Sequence, residues 1–293
     1  MTWETNSAKQ MVSVLITAFN REKYIAEAIQ SVIDSNYSNW ELIIVDDCSK
    51  DNTVSIAREF SKRDARIRVY VNERNLGDYA NRNRAASYGK GKYLKYLDSD
   101  DKIFSDGLAY CIRNMEENPT ASIGLVTFNK KYGTNPILIS SKEIIKNHFF
   151  GGAELTMGPT GAIIKRDCFE KINGFDTRFN VASDNFFNVK MATIGDVVLL
   201  PYQFFYYREH NGQERHNSTG YLIHNYLYNK ELFCKTRLPL SADERMFLEK
   251  KLQKRHSVNL VKYFFKTKSI ISVIKVMRST NYSLLKFGKS FFY

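Results

Sequence analysis

Three aspartates that follow one short strand are the first residues of this sequence that could do chemistry. Asp98, Asp100 and Asp101 come directly after Tyr93 to Leu97, a run that favours a β-strand. Carboxylates this close repel one another and raise one another's pKa, and a divalent cation that also binds a phosphate would remove that repulsion. Carboxylate oxygens suit Mg²⁺ or Mn²⁺, which take further ligands from phosphate and water. The alternative is a solvated acidic turn that closes the strand.

The first hundred residues alternate between predicted strands and predicted helices. The strands are expected at Val12 to Thr17, Trp40 to Val45, Ile67 to Val71 and Tyr93 to Leu97. A segment with the hydrophobic spacing of a helix separates each strand from the next. This alternation predicts an α/β fold with a mostly parallel central sheet flanked by helices. In such a sheet, ligands bind at the carboxyl ends of the strands.

Polar residues from four strands are therefore expected to meet at one edge of the sheet. They are Thr17-Ala18-Phe19-Asn20, Asp46-Asp47, Asn72 to Gly77 and Asp98-Ser99-Asp100-Asp101. The sequence contains no Gly-x-Gly-x-x-Gly and no Gly-Lys-Ser/Thr motif, so dinucleotide and P-loop sites have no support.

The second half of the chain predicts further strands and then helices. Strands are expected near Ala121 to Phe128, Ile137 to Ile139, Asp196 to Leu200 and Gln203 to Tyr207. Asp184 begins a predicted helix, and the pattern becomes helical from Tyr221 onward. Ser241 and Glu244 form a capping box that predicts the start of one long helix.

Composition indicates a globular protein with an unusually basic end. The 293 residues are 43% hydrophobic and the four cysteines are scattered, which fits neither a zinc site nor a disulfide framework and suggests a reducing compartment. The net charge is +12, and the segment from Lys250 to Tyr293 has eleven Lys or Arg and no Asp or Glu. The preceding residues are almost neutral. With no apolar leader at the start and no long apolar run, we expect a cytoplasmic protein.

Several of these segments together resemble family 2 glycosyltransferases, the inverting enzymes with the GT-A fold. The matching pieces occur in family order over roughly 200 residues, although each alone is a weak signal. They are Val-Ser-Val-Leu-Ile-Thr-Ala-Phe-Asn, Trp-Glu-Leu-Ile-Ile-Val-Asp-Asp-Cys-Ser-Lys-Asp-Asn-Thr, Asn75-Leu-Gly, Ala80-Asn-Arg-Asn, Gly89-Lys-Gly-Lys-Tyr, Leu97-Asp-Ser-Asp-Asp, Gly174-Phe-Asp, Ser183-Asp184 and Tyr207-Arg-Glu-His210. The last seventy residues are not covered.

The resemblance implies a nucleotide site at the predicted sheet edge. Thr17 and Asp47 resemble the residues that hold the base and the ribose, and Arg82 resembles the basic residue near the nucleotide. The residues expected to bind the nucleotide are Thr17, Ala18, Asn20, Asp47, Arg82, Asp98 and Ser99.

The resemblance also implies a metal site and a catalytic base. Asp98 and Asp100 resemble the Asp-x-Asp pair, with Asp100 as the direct metal ligand, and His210 resembles a histidine near the metal or the diphosphate. Asp184 lies where the family keeps its base, although many members have Glu-Asp there and this chain has Ser-Asp. The implied cofactor is Mn²⁺ or Mg²⁺.

Each of these residues also has an ordinary structural interpretation. Asp184 could be a helix N-cap and Asp47 could begin an Asx-turn. Arg82 could form a salt bridge on a helix surface, and His210 could be a surface-loop histidine.

The resemblance implies transfer of a sugar from a nucleotide diphosphate, a UDP-sugar, to a hydroxyl of a glycan or a lipid-linked oligosaccharide in surface polysaccharide synthesis. The catalytic domain is expected at 1–220, with a donor half at about 11–101 and an acceptor half at about 102–220. A sugar nucleotidyltransferase is one alternative, but the Gly-rich basic loop that such enzymes usually need is absent. A nucleic-acid-binding protein is another, and the near-neutral body argues against it.

Residues 221–293 are expected to form a basic amphipathic extension. Apolar residues recur there at helical intervals with Lys and Arg between them, as in helices that lie in a membrane interface. We therefore expect an anionic membrane surface as a partner and a location on the inner face of the cytoplasmic membrane. The alternative is that the apolar face packs on the catalytic domain, or on a second subunit in a homo-oligomer.

Overall fold

The computed structural model describes residues 10–209 and 217–292. Its strands are β1 (Val12–Ala18), β2 (Trp40–Asp46), β3 (Ile67–Val71), β4 (Tyr93–Asp98), β5 (Lys102–Ile103), β6 (Ala121–Val126), β7 (Ile137–Ile139), β8 (Ala162–Lys165), β9 (Asp196–Leu200) and β10 (Phe205–Tyr206). Its helices are α1 (Ile25–Ile33), α2 (Thr53–Arg63), α3 (Asp78–Tyr88), α4 (Gly107–Glu117), α5 (Ser141–Phe150), α6 (Arg166–Lys171), α7 (Ser183–Ile194), α8 (Ser218–Lys235), α9 (Ala242–Thr267), α10 (Ile270–Ser279) and α11 (Leu284–Lys289).

Eight strands form one mixed sheet in the order β3-β2-β1-β4-β8-β6-β9-β7. The first four strands of the chain are parallel to one another, as predicted, because a helix returns the chain between successive strands. β8 is antiparallel to β4 and β6, and β7 is antiparallel to β9. The fold is therefore the mostly parallel, helix-flanked sheet expected from the sequence.

The core lies on both faces of this sheet. Every residue of β1 and β2 is buried, which explains why both strands read as apolar runs. Alternate residues enter different clusters: Val14 and Ile16 pack with α1 and α4, whereas Leu15 packs on the face that holds α3, α5 and α7. α1 contributes Ile25, Ala28, Ile29 and Val32, the spacing that predicted an amphipathic helix.

The register of the parallel strands brings the predicted polar residues together. Thr17 is the Cα partner of Val45 on one side and of Asp98 on the other. The backbone N–H of Asp47 donates to the carbonyl of Ala18 over 2.7 Å, just past the end of β2. The carboxyl ends of β1, β2 and β4 therefore meet at one edge.

Two local predictions differ from the structure. The strand expected over 203–207 is only Phe205–Tyr206, which pairs with Lys102–Ile103 outside the main sheet. The expectation was too long because this pair supports two residues only. α5 was not predicted; Ser140 caps it by accepting from the N–H of Glu143, and few of its residues are buried.

The C-terminal helices, α8 to α11, continue the fold. Ser241 and Glu244 form the predicted capping box at the start of α9. Tyr228, Leu232 and Phe233 of α8 join the core cluster of the sheet, while a separate small cluster forms around Tyr226, Leu260, Val273, Val276 and Tyr282. No helix within the described ranges has both the length and the apolar character needed to cross a bilayer.

Candidate functional site

A cavity of about 890 Å³ lies at the carboxyl ends of β1, β2 and β4; we call it the strand-end cavity. Nine of the ten predicted site residues line it. They are Thr17, Ala18, Asn20, Asp47, Arg82, Asp98, Ser99, Asp100 and Asp184. The tenth, His210, lies outside the described residues. The sequence therefore predicted which residues come together, and their roles stay predictions.

Arg82 is the central cation of the strand-end cavity. Its Nη2 lies 2.7 Å from Oδ1 of Asp98, and its Nε lies 2.9 Å from Oδ1 of Asp78. Burial alone would raise the pKa of Asp98, but the charge and hydrogen bond of Arg82 outweigh it, so the pKa of Asp98 is lowered. Asp98 is therefore ionised. Nη1 of Arg82 has no hydrogen-bond partner in the described part of the chain.

Asp47 fixes a loop as well as lining the cavity. Its Oδ1 accepts hydrogen bonds from the side-chain amide of Asn72 and from the N–H of Leu76, and its Oδ2 accepts one from the N–H of Gly77. Gly77 has a φ of +87°, a conformation that few other residues tolerate. These bonds hold residues 72–77 against the cavity. They join residues 25 to 30 positions apart, whereas an Asx-turn would bond to the N–H two residues on, so Asp47 acts here as a long-range anchor.

Asn20 and Ser99 lie in the turns that follow β1 and β4. The side-chain carbonyl of Asn20 accepts from the N–H of Lys50, and the N–H of Asn20 donates to the hydroxyl of Ser49. Asn20 has a φ of +54°, which asparagine adopts more readily than most residues. Ser99 is buried between two aspartates. Asn20 therefore fixes the rim of the cavity through both its side chain and its backbone N–H.

Asp184 lines the cavity from the first turn of α7. The N-cap of that helix is Ala182, and the carboxylate accepts from the N–H of Asn185 over 2.7 Å. The structure thus does not use Asp184 as the N-cap. Burial raises the pKa of Asp184 to about 7, because burial destabilises the charged form. A carboxylate of this kind is suited to accept a proton near neutral pH.

The cavity also contains residues that were not predicted. Nε of Arg21 lies 3.2 Å from Oδ2 of Asp100. Thr160 is buried outside the lining, and its hydroxyl accepts from the N–H of Asp98 over 3.0 Å. Tyr79 of α3 lines the wall near Asp184. Arg21 follows Asn20 directly and could have been inferred from its position after β1; the Thr160 contact joins residues 62 apart and has no local signal.

Arg208 links the segment after β10 to the acidic turn, which consists of Asp98 to Asp101. Its N–H donates to Oδ1 of Asp101, its Nε donates to the carbonyl of Asp100, and its guanidinium pairs with Glu27 at 2.9 Å. Two of these three bonds fix the backbone and side chain next to the predicted metal ligands. The segment that leads to His210 is therefore attached beside Asp100 and Asp101.

The acidic turn, Asp98 to Asp101, is the predicted cation site. Oδ2 of Asp101 is buried with no hydrogen-bond partner among residues 10–209 and 217–292, and burial together with the charge of Asp98 raises the pKa of Asp101 to about 7. Burial is the larger cause of the raised pKa, and the nearby charge of Asp98 adds to it. The described residues hold no group of three or more His, Cys, Asp or Glu arranged around one point. Asp98 and Asp100 are two carboxylates, and one or two is the number that Mg²⁺ commonly takes from a protein when phosphate and water supply its other ligands.

Comparison with known proteins identifies the family. The family model described as glycosyl transferase family 2 matches residues 13–173, more than half of the chain. The chain belongs to glycosyl transferase family 2. The match includes β1 to β4 and the acidic turn, and it ends before Asp184 and the C-terminal helices.

Two bacterial relatives of this family 2 chain each match somewhat more than a third of it. TuaG of Bacillus subtilis, named for teichuronic acid biosynthesis, is 41% identical over 113 residues, 39% of this chain and 45% of TuaG. The Escherichia coli UDP-Glc:alpha-D-GlcNAc-diphosphoundecaprenol beta-1,3-glucosyltransferase WfgD is 39% identical over 108 residues, 37% of this chain and 42% of WfgD. The matched part thus spans less than half of either relative.

Solved structures match almost the whole family 2 chain in fold. S. aureus TarS 1-349 in complex with UDP-GlcNAc has a TM-score of 0.73 and 18% identity over 96% of this chain and 81% of the TarS chain. The mannosyltransferase PcManGT of Pyrobaculum calidifontis, in complex with GDP-Man and Mn²⁺, has a TM-score of 0.64 and 14% identity over 97% of this chain and 79% of its own. At these identities the likeness shows the GT-A fold.

Proposed function

We propose that the protein is an inverting glycosyltransferase that moves a sugar from a UDP-sugar to a hydroxyl of a glycan or lipid-linked oligosaccharide during surface polysaccharide synthesis. The observation that carries the proposal is the shared cavity: Asp184, with a pKa near 7, lines the same space as Asp98 and Asp100. One carboxylate can take the acceptor's proton while the acidic turn serves the donor's diphosphate. Family membership supports the same chemistry.

The reaction is a single displacement at the anomeric carbon. Asp184 takes the proton of the acceptor hydroxyl, and that oxygen forms a bond to the anomeric carbon as the bond to the diphosphate oxygen breaks. The diphosphate leaves with the electron pair, and Asp184 ends protonated. Attack from the side opposite the leaving group inverts the configuration. Burial keeps the proton affinity of Asp184 high enough for this role.

The reaction also requires positive charge beside the departing diphosphate. Mg²⁺ or Mn²⁺, when bound by Asp98 and Asp100, supplies positive charge for the departing diphosphate. Arg82 directs its guanidinium to Asp98 and has Nη1 without a partner in the described residues, so it adds a second positive group beside the nucleotide. His210 remains a proposed metal-side residue. Thr17, Ala18, Asn20, Asp47 and Ser99 are proposed to contact the nucleotide.

The choice of a UDP-sugar and a lipid-linked acceptor rests on relatives. WfgD is named for UDP-Glc and for a diphosphoundecaprenol acceptor, and TarS structures contain UDP or UDP-GlcNAc. PcManGT was solved with GDP-Man, so the identity of the nucleotide base is the first part of the donor to test.

Calorimetric titration of the full chain with UDP, GDP, ADP and CMP, with and without Mn²⁺, tests the proposal. We expect UDP to bind more tightly than the other nucleotides and only when Mn²⁺ or Mg²⁺ is present. Equal binding of UDP with and without the metal would refute metal dependence. Binding of none of the four nucleotides would refute the glycosyltransferase proposal itself.

We also propose that the C-terminal helices hold the protein on the inner face of the cytoplasmic membrane. Part of their apolar surface is buried, as at Val273 and Val276, but large residues remain exposed: Phe265 by 70%, Leu284 by 77% and Phe292 by 90%. Basic residues surround them in a segment without acidic residues. An apolar surface ringed by positive charge suits anionic lipid headgroups. A homo-oligomer that covers the same surface is the competing proposal.

A further inference from the structure

A second cavity, of about 570 Å³, lies among α5, α8 and α9; we call it the helical groove. It adjoins the strand-end cavity, because Tyr221 lines both. Asn185, the residue after Asp184, also lines it, and its Oδ1 is buried without a hydrogen-bond partner in the described residues. The helical groove thus begins beside the proposed catalytic base.

One side of the helical groove is a row of positive charges. The row consists of Lys251, Arg255, Lys262 and Lys266, which recur at intervals of four, seven and four residues and so share one side of α9. None of the described lining residues is an aspartate or a glutamate. A groove with four cations and no acid attracts anions.

Most of these cations make no stabilising polar contact within the described part of the protein. Lys251, Arg255 and Lys262 make no hydrogen bond and no ion pair with any part of the chain that the structure describes. By contrast, Lys146 of α5 pairs with Glu244, in the first turn of α9, at 2.6 Å. Cations that serve only solubility are usually dispersed over a surface, whereas these are aligned along a cavity.

The rest of the helical groove is apolar and aromatic. Phe149 of α5 and Phe233 of α8 contact each other, with ring centres 5.1 Å apart, and Leu248 and Leu252 of α9 lie in the same lining. Asn225 and Asn229, one turn apart on α8, add amide groups. A ligand that carries both an anionic group and an apolar chain matches this combination better than a free sugar would.

We propose that the helical groove binds the diphosphate of an acceptor in which that diphosphate joins a sugar to an apolar chain. Arg255 and Lys262 donate to the phosphate oxygens, and the adjoining Tyr221 and Asn185 leave the acceptor sugar next to Asp184. This assignment rests on the proposed function, because it names where that reaction's acceptor is held. It places acceptor recognition in helices that lie beyond the residues matched by the family model.

The test is titration of the full chain, saturated with UDP and Mn²⁺ so that the donor site is filled, with geranyl diphosphate. The variant is Arg255→Gln with Lys262→Gln, and the matched control is Lys275→Gln with Arg278→Gln, which removes the same two charges from exposed positions of α10. Because a hydrogen bond to a charged group is worth a factor of about ten or more, we expect the variant to lose at least tenfold in affinity. The control should keep the affinity of the unmodified protein.

Two further measurements keep the outcome interpretable. Thermal melting confirms that the variant folds, and Arg255→Lys with Lys262→Arg should restore most of the affinity. Unchanged geranyl diphosphate binding in the Gln variant, with normal UDP binding, overturns the groove assignment alone; failure of the unmodified protein to bind UDP overturns the proposed function. Binding of a glycerol phosphate oligomer, but not of geranyl diphosphate, would also overturn the assignment.

Discussion

Arg82 on α3 and Asp98 at the end of β4 form an ion pair of 2.7 Å, and the side chain of Arg82 is only 8% exposed. The pair therefore joins a helix to the centre of the sheet inside the strand-end cavity. It also keeps Asp98 ionised in a place where burial alone would favour the protonated form.

Arg82→Ala is expected to lower the free energy of unfolding by on the order of 3 kcal/mol, because it leaves a buried carboxylate without its cation. Urea denaturation at pH 7 measures this loss. Arg82→Lys keeps the charge and should lose clearly less. Equal stability of Arg82→Ala and the unmodified protein would show that the pair contributes nothing to the fold.

Asp100→Ala is expected to remove most of the UDP binding that depends on Mn²⁺, since the diphosphate then lacks its bridging cation. The fold should persist or gain slightly in stability, because one of the clustered like charges is gone. Calorimetry with Mn²⁺ measures the binding, and Glu117→Ala, which removes an exposed acid elsewhere, is the control. Undiminished UDP affinity in Asp100→Ala would contradict the metal assignment.

Asp184→Asn is expected to reduce turnover by about 10²- to 10⁴-fold, the usual contribution of a general base, while UDP binding persists. The amide can still accept from the N–H of Asn185 and removes a buried carboxyl, so stability should not fall. Steady-state kinetics and thermal melting separate the two effects. Full turnover in Asp184→Asn would exclude this residue as the base.

The same residue predicts how activity depends on pH. Asp184 must be deprotonated to act as a base, and its pKa is raised to about 7, so kcat/KM should fall below pH 7 and level off above it. The expected slope on the acid side is about tenfold per pH unit for one proton. A profile that stays flat from pH 5.5 to pH 8 would argue against a base with this pKa.

His148 predicts a loss of stability in acid. Burial lowers the pKa of His148 to about 4, and its Nδ1 accepts from the N–H of Leu155 over 3.1 Å. Since the folded pKa lies below the unfolded value of about 6.5, the full stability is present above pH 6.5 and is lost as the pH falls towards 4. The loss should approach roughly 3 kcal/mol. In urea denaturation experiments, His148→Gln should flatten the fall of the free energy of unfolding between pH 6.5 and pH 4. An unchanged slope would show that other titrating groups cause this fall.

The exposed apolar residues of the C-terminal helices predict reversible binding to anionic vesicles. Phe265→Ser combined with Leu284→Ser should reduce co-sedimentation with vesicles of anionic lipid at low salt, because both side chains are more than two-thirds exposed and available for insertion. Phe128→Ser, at a 66% exposed position outside these helices, is the control. A concentration-dependent dimer that dissociates in the double variant, with no vesicle binding, would favour the homo-oligomer instead.

The sequence predicted the first four strands and the residues that follow them well because their signals are local. Strands buried on both faces leave runs of apolar residues, and the polar residues after them must lie at the strand ends. β1 to β4 were located to within one residue for this reason. The aspartates at 98 and 100 and the position of Asp184 followed from the family pattern.

The remaining features depend on contacts between distant segments. The side-chain amide of Asn83 donates to the carbonyl of Phe175, 92 residues away, and its side-chain oxygen accepts from the N–H of Phe175. The N–H of Arg208 donates to Asp101, 107 residues away. β5 and β10 have only two residues each, too few for a periodic signal. The helical groove needs the packing of α5 against α8 and α9, and no local pattern specifies that packing. These long-range bonds, short strands and helix contacts can be seen only once the whole chain has folded.

The strand order has a consequence for the growing polypeptide. β3, β2, β1 and β4 can pair as soon as residue 98 has left the ribosome, but the other edge of β4 is covered only when β8 has been made. During that interval β4 exposes unpaired backbone groups on an apolar strand, which is a template for wrong pairing with other chains. The nascent protein should therefore be most vulnerable to aggregation while residues 99–165 are being translated, and nascent-chain binding by chaperones should peak there.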